Sequence, residues 1–149
     1  MPPSIPPSHA ANPARATIAA LARPGDLRAL PLVAAELVVA TRLAALFERA
    51  GRDPLPDLAR RYGNVEAATA IDGLLRTVTQ VWPEAFGVAR PCCTRLTPDE
   101  ATLAALARAA RRADHAGFAD QIAGFVRADR HEALYQATLH AVALLPFAG

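Results

Sequence analysis

Apolar positions recur along this chain at intervals of three and four residues, the spacing that keeps one side of a helix against a core. Over residues 31–50 the run is nearly unbroken. Leu32, Leu37 (or Glu36), Val39, Leu43, Leu46 and Phe47 share a wide apolar face, and Gly51 supplies the stop. This predicts the central helix. Asp53-Pro54 opens a shorter helical segment that ends near Tyr62-Gly63. Asn64 then caps a helix over residues 65–81, in which Ile71, Leu74, Leu75, Val78 and Val81 follow helical spacing. Trp82-Pro83 closes it, and residues 83–95 show no period.

Thr97-Pro98-Asp99-Glu100 is the clearest local signal. The Thr97 hydroxyl can cap the amide of Glu100, Glu100 can reach back, and Pro98 sits where no donor is needed. A helix over residues 98–113 follows, with Leu103, Leu106 and Ala110 inward. Gly117 reads as a break before a helix near residues 118–127 carrying Phe118, Ile122, Phe125 and Val126. Asp129-Arg130-His131-Glu132 resembles a second capping box. It opens a last helix over residues 130–145, with Leu134, Leu139, Val142 and Leu145, which Pro146 ends. Near the N-terminus, Asn12-Pro13 predicts a short helix over residues 13–22, closed by Arg23-Pro24-Gly25. No segment alternates in the manner of a strand. The prediction is an all-α single domain over residues 13–149. It holds five to six helices in a bundle or orthogonal array, preceded by a Pro-rich flexible tail over residues 1–12. No 34-residue self-similarity supports a tetratricopeptide array.

Composition strengthens this picture. Of 149 residues, 52% are hydrophobic and 20% charged, a globular rather than a disordered balance. Alanine, the best helix former, is abundant. The net charge of +2 gives no strong field for nucleic acid or anionic lipid. All 16 basic residues are arginine. Alanine, glycine and proline are inflated with it, the pattern of a GC-rich coding bias rather than of selection for phosphate contacts. The longest apolar stretch, residues 29–47, is interrupted by Pro31, Glu36 and Arg42, which argues for a buried helix and against a membrane span. The N-terminal residues lack a basic and then an apolar region, so no signal peptide is expected. Two adjacent cysteines make no disulfide framework, and a reducing cytoplasm is the expected compartment.

Candidate chemistry centres on Cys92 and Cys93. They lie just before the helix start at Thr97-Pro98, between Arg90 and Arg95, where positive potential favours thiolate. A redox-sensitive thiol or a ligand pair for zinc or another soft metal would use them, with His115, His131 or His140 completing a metal site; His115 is the first candidate. Against this, adjacent side chains diverge in most backbones. A zinc site needs four ligands, and no second cysteine pair or His-x3–5-His spacing exists. Free cysteine is also among the most buried residue types. His131 and Tyr135 stand one turn apart, but no catalytic constellation follows from the spacing alone. No residue is singled out as catalytic or as holding an organic cofactor. Arg60-Arg61 and Arg108, Arg111 and Arg112 sit among acidic residues, as on a solvated face. A helix-turn-helix over residues 103–126 lacks a basic recognition helix, so DNA binding is not expected. No Gly-rich phosphate loop occurs.

The stretch Pro91-Cys92-Cys93-Thr94-Arg95-Leu96-Thr97-Pro98-Asp99-Glu100-Ala101 resembles the motif of an uncharacterised family of small helical bacterial proteins. That motif reads Pro-Cys-Cys-x-Arg-(Leu/Met)-Thr-x-Asp-Glu and leads into a helix. Members often carry a third consecutive cysteine; here Thr94 takes that place. The resemblance implies a shared fold and a shared role for Cys92 and Cys93, and supplies no activity.

Two roles are compatible with these residues. The first is a non-enzymatic cytoplasmic interaction or regulatory module. Its apolar content exceeds what short helices bury internally, so it calls for a protein partner or a homo-oligomer, and the Pro-rich tail could serve as a docking segment. The second is a metal-binding or thiol-redox protein built on Cys92 and Cys93.

Overall fold

The computed structural model describes residues 25–145. The expected tail over residues 1–12 and the expected helix over residues 13–22 lie outside them, as does Pro146. Six α-helices occur among the described residues. They are α1 (Leu32–Arg49), α2 (Leu55–Tyr62), α3 (Val65–Val81), α4 (Pro98–Arg111), α5 (His115–Ile122) and α6 (His131–Leu144). Short 3-10 turns precede α1 (Leu27–Ala29) and α6 (Ala128–Arg130). No strand occurs among these residues. The single extended contact is an antiparallel bridge between Asp26 and Arg95. The fold is all-α, as the spacing predicts.

The packing has two hubs. Helix α3 lies against α2 on one side and α6 on the other, and α4 lies against α1, α5 and α6. Their shared core holds Leu37, Ile71, Leu74, Leu103, Leu106, Phe118, Ile122 and Leu134, all at most 1% exposed. Phe118 of α5 meets the ring of Tyr135 of α6 edge to face, with centroids 5.1 Å apart.

Local chemistry explains most boundaries. The Asn64 side chain accepts from the amides of Glu66 and Ala67, and Gly63 takes the left-handed conformation (φ 62°) that closes α2. At α4 both halves of the capping box form: the Glu100 amide donates to Thr97 Oγ1 at 3.0 Å and the Thr97 amide donates to Glu100 Oε1 at 2.9 Å.

Three expectations need correction. In α1 the inward face is Val33, Ala34, Leu37, Val38, Ala40, Thr41, Arg42 and Ala44. Leu32 and Leu46, expected on the core face from their spacing, are 53% and 46% exposed. Small side chains let α1 approach α4, whose own facing side carries Ala104 and Ala107. Secondly, the break falls at Ala113 (φ 53°), not at Gly117, so α4 ends at Arg111 and α5 starts three residues before Phe118. Thirdly, no capping box opens α6. Asp129 pairs with Arg127 at 2.9 Å, and the Arg130 cap makes no side-chain bond.

Gly117 is the third residue of α5, and its amide donates to the capping carboxylate of Asp114 at 2.9 Å. A Cβ there would collide with that carboxylate. Gly-to-Ala in a helix normally gains about 1 kcal/mol, and a lost cap costs about as much. Gly117→Ala is therefore expected to give no gain in urea unfolding on its own. In an Asp114→Ala background, where no cap remains to be displaced, it is expected to recover about 1 kcal/mol. Equal gains in both backgrounds would refute the clash.

Tyr62 ties α2 to α1. Its hydroxyl lies 3.2 Å from both the backbone oxygen and the carboxylate of Glu36, which also pairs with Arg61 at 3.3 Å. Burial pushes the phenol up to about 12. The folded value exceeds the unfolded one, so this contribution is whole below about pH 10 and is lost as pH rises towards 12. Phenolate absorbance is expected to show one tyrosine ionising near 12, and Tyr62→Phe to abolish that late step.

Candidate functional site: a pinned loop between a cleft and two cysteines

The segment linking α3 to α4, residues 82–97, has almost no regular structure, yet it is held at several points. The anchors come from the start of α4, from α1 and from residues 25–27. Asp99 accepts from the Trp82 indole Nε1 at 3.0 Å and from the Gly87 amide at 2.7 Å. Thr97 Oγ1 donates to the Gly87 carbonyl at 2.6 Å. The Leu96 amide donates to the Gly25 carbonyl at 2.8 Å, and the Leu27 amide to that of Thr94 at 2.7 Å. The helix start legible in the sequence thus also anchors the loop.

The strongest anchor is Arg42. It leaves α1 inside the core, its side chain and that of Glu100 both fully buried. Arg42 Nε donates to Glu100 Oε2 at 2.7 Å and Nη2 donates to Oε1 at 3.0 Å, a two-pronged pairing. Nη2 also donates to the Arg95 carbonyl at 2.9 Å, and Nη1 to the Cys93 carbonyl. No buried side-chain polar atom lacks a partner among the described residues. This matters because a buried pair is tolerated only when its remaining donors and lone pairs are satisfied. The hydrogen bonds that it donates to Glu100 lead in holding the Arg42 guanidinium above its usual pKa, against the opposing effect of burial.

Each half of the loop does something different. The first half walls an open cleft of about 480 Å3. Phe86 and Val88 face Thr41, Ala44 and Ala45 of α1 and Leu75, Val78 and Thr79 of α3. Glu48, Arg49, Asp72, Arg76 and Gln80 also line it. Asp72 and Arg76 pair at 2.9 Å, whereas Glu48 and Arg49 have no ion pair among the described residues. Trp82 stacks edge to face on Phe86 at 5.1 Å and on Phe125 at 5.2 Å, backing the wall with aromatic surface.

The second half carries the cysteines. The Cys93 amide donates to the Arg90 carbonyl at 3.0 Å, closing a turn with Pro91 and Cys92 at its corners. Both thiols are free; Cys92 is exposed and Cys93 half-buried. His115 is not with them. Its Nε2 lies 2.5 Å from Glu132 Oε2, and its ring lies against Tyr135 at 4.4 Å. Gln136 and His115 hold the Glu132 carboxyl below its usual range. His131 Nε2 lies 2.9 Å from the Val126 carbonyl, a local contact at the start of α6. No group of three or more His, Cys, Asp or Glu able to hold a metal ion occurs among the described residues. The structure therefore keeps Cys92 and Cys93 together and separates His115 from them.

Sequence reasoning missed the Arg42–Glu100 pair. Its signal was a lone arginine inside an apolar helix. Among the described residues no helix is long and apolar enough to cross a membrane. The Arg-rich segments behave as solvated faces: Arg60 pairs with Asp57 and Arg61 with Glu36 at the surface. Comparison of the chain with protein-family models, with curated proteins and with solved structures gave no match.

Proposed function

We propose that this protein is a non-enzymatic cytoplasmic interaction module whose protein partner seats a short amphipathic helix in the cleft between α1 and α3. The cleft itself carries this reading. Ala44, Ala45, Leu75 and Val78 give it apolar surface, Phe86 an aromatic wall backed by Trp82, and Glu48, Arg49, Asp72 and Arg76 a charged lining. That is the surface an amphipathic helix needs: room for a few apolar anchors, with Glu48 and Arg49 free to meet charges on its polar side. The anchored loop supports it further, because a wall held in place before binding loses little entropy on binding.

A photo-crosslinking residue placed at Ala45, in the cleft, tests this in the host cell, with exposed Ala133 on α6 as the control. A discrete protein adduct from position 45 and none from position 133 is expected. No adduct at 45, or the same adduct from both, removes the cleft as the docking surface.

A further inference from the structure

Helix α1 buries one side and carries apolar residues on the other. Its buried side, centred on Leu37 and Thr41, meets the core and α4. At 3.6 residues per turn, Leu32, Ala35, Val39, Leu43 and Leu46 fall together on the opposite side. Leu32 and Leu46 are exposed, and the three between them are half-buried. None of the five lines the cleft, so this stripe is a separate surface.

The spacing of the stripe identifies its occupant. The five residues stand 3, 4, 4 and 3 positions apart, an order that reads the same from either end. We propose that a second copy of the chain packs its α1 antiparallel against this α1, about a two-fold axis at Val39. In that register Leu32 meets Leu46 of the second copy, Ala35 meets its Leu43, and Val39 meets its own counterpart. Large faces small at the inner positions, and leucine closes both ends. A two-fold interface requires a self-complementary patch of this kind. The mean interval of 3.5 residues is the spacing at which two paired helices keep one seam in contact. Neither flanking charge is stranded by the contact. Glu36 already pairs with Arg61 and Tyr62, and Arg42 with Glu100. The stripe spans about 21 Å of helix. One helix pair of that length is at the small end of specific interfaces, which makes the dimer weak and reversible.

Sedimentation equilibrium on the full chain tests this, over roughly 1 to 300 μM to bracket weak association. The mass is expected to rise from 15.7 kDa towards twice that value. Leu46 is exposed, so Leu46→Glu keeps the fold, and its urea midpoint checks this. It is expected to weaken association at least about 10-fold, because each dimer loses two apolar anchors. Disulfide crosslinking reads the register, in a chain carrying Cys92→Ser and Cys93→Ser. A mixture of Leu32→Cys and Leu46→Cys proteins is expected to form a covalent dimer on oxidation with diamide. Neither is expected to do so alone, since its two cysteines would stand about 21 Å apart along the seam. Three results each overturn the proposal. They are a single-chain mass at every concentration, as when another part of the same chain covers α1, unchanged association in Leu46→Glu, or crosslinking of either protein alone as efficient as that of the mixture.

Discussion

Arg42→Met is expected to destabilise the protein by about 3–5 kcal/mol, the range for removing one partner of a buried ion pair. The lost attraction is only part of that. Glu100 would remain as a fully buried carboxylate with its main counter-charge gone, and the carbonyls of Cys93 and Arg95 would lose their shared donor. Methionine fills much of the volume, so a cavity contributes little. The source of the penalty can be separated by experiment. In Arg42→Met with Glu100→Gln the stranded charge is gone and the amide oxygen can still accept from Thr97, so this double variant is expected to be more stable than Arg42→Met alone. Urea midpoints for the three proteins decide it. An Arg42→Met protein within about 1 kcal/mol of wild type, the range of an exposed pair, would show that the pair is not desolvated in solution.

Phe118→Ala is expected to cost a further amount of the same order, about 3–5 kcal/mol, for a different reason. Phe118 is 1% exposed on α5, which packs against both α4 and α6. Truncation removes its apolar burial and its edge-to-face contact with Tyr135, and leaves a cavity that α5 cannot readily collapse into, because Ile122 and the Asp114 cap fix its position. Thermal unfolding would read the loss. The paired comparison is Phe125→Ala. Phe125 stands 37% exposed against Trp82, and its loss is expected to cost far less. Equal costs at the two positions would mean that α5 is not part of the core.

These two positions also show what the sequence makes legible. Two local signals agree with the structure, the Asn64 cap with the helix over residues 65–81 and the capping box at Thr97-Glu100, whereas the capping box expected at Asp129-Glu132 does not form. The two that form span three residues and need nothing from elsewhere. Readings that depended on which side of a helix meets the core were weaker. In α1 almost every residue is apolar, so spacing alone also admits Leu32 and Leu46 to the core face, whereas the buried face carries Ala34, Ala40 and Ala44. The end of α4 was misplaced because Ala113 adopts a backbone conformation that glycine normally signals. The candidate site was half legible. The cysteines and the helix start beside them stand in the sequence, but Arg42 lies 58 positions from Glu100 and no local pattern joins them. The cleft depends on how α1 and α3 sit, which is tertiary information.

The anchoring of residues 82–97 also bears on how the molecule comes apart. Irregular segments at a protein surface usually open on their own, well before the core does. Here the carbonyls of Cys93 and Arg95 are bonded to a guanidinium that cannot reach water unless α1 separates from α4. Residues 93–96 therefore belong to the same cooperative unit as the helices. In spite of lacking a helix of its own, that stretch is expected to exchange its contacts for solvent together with α1 and α4 rather than ahead of them.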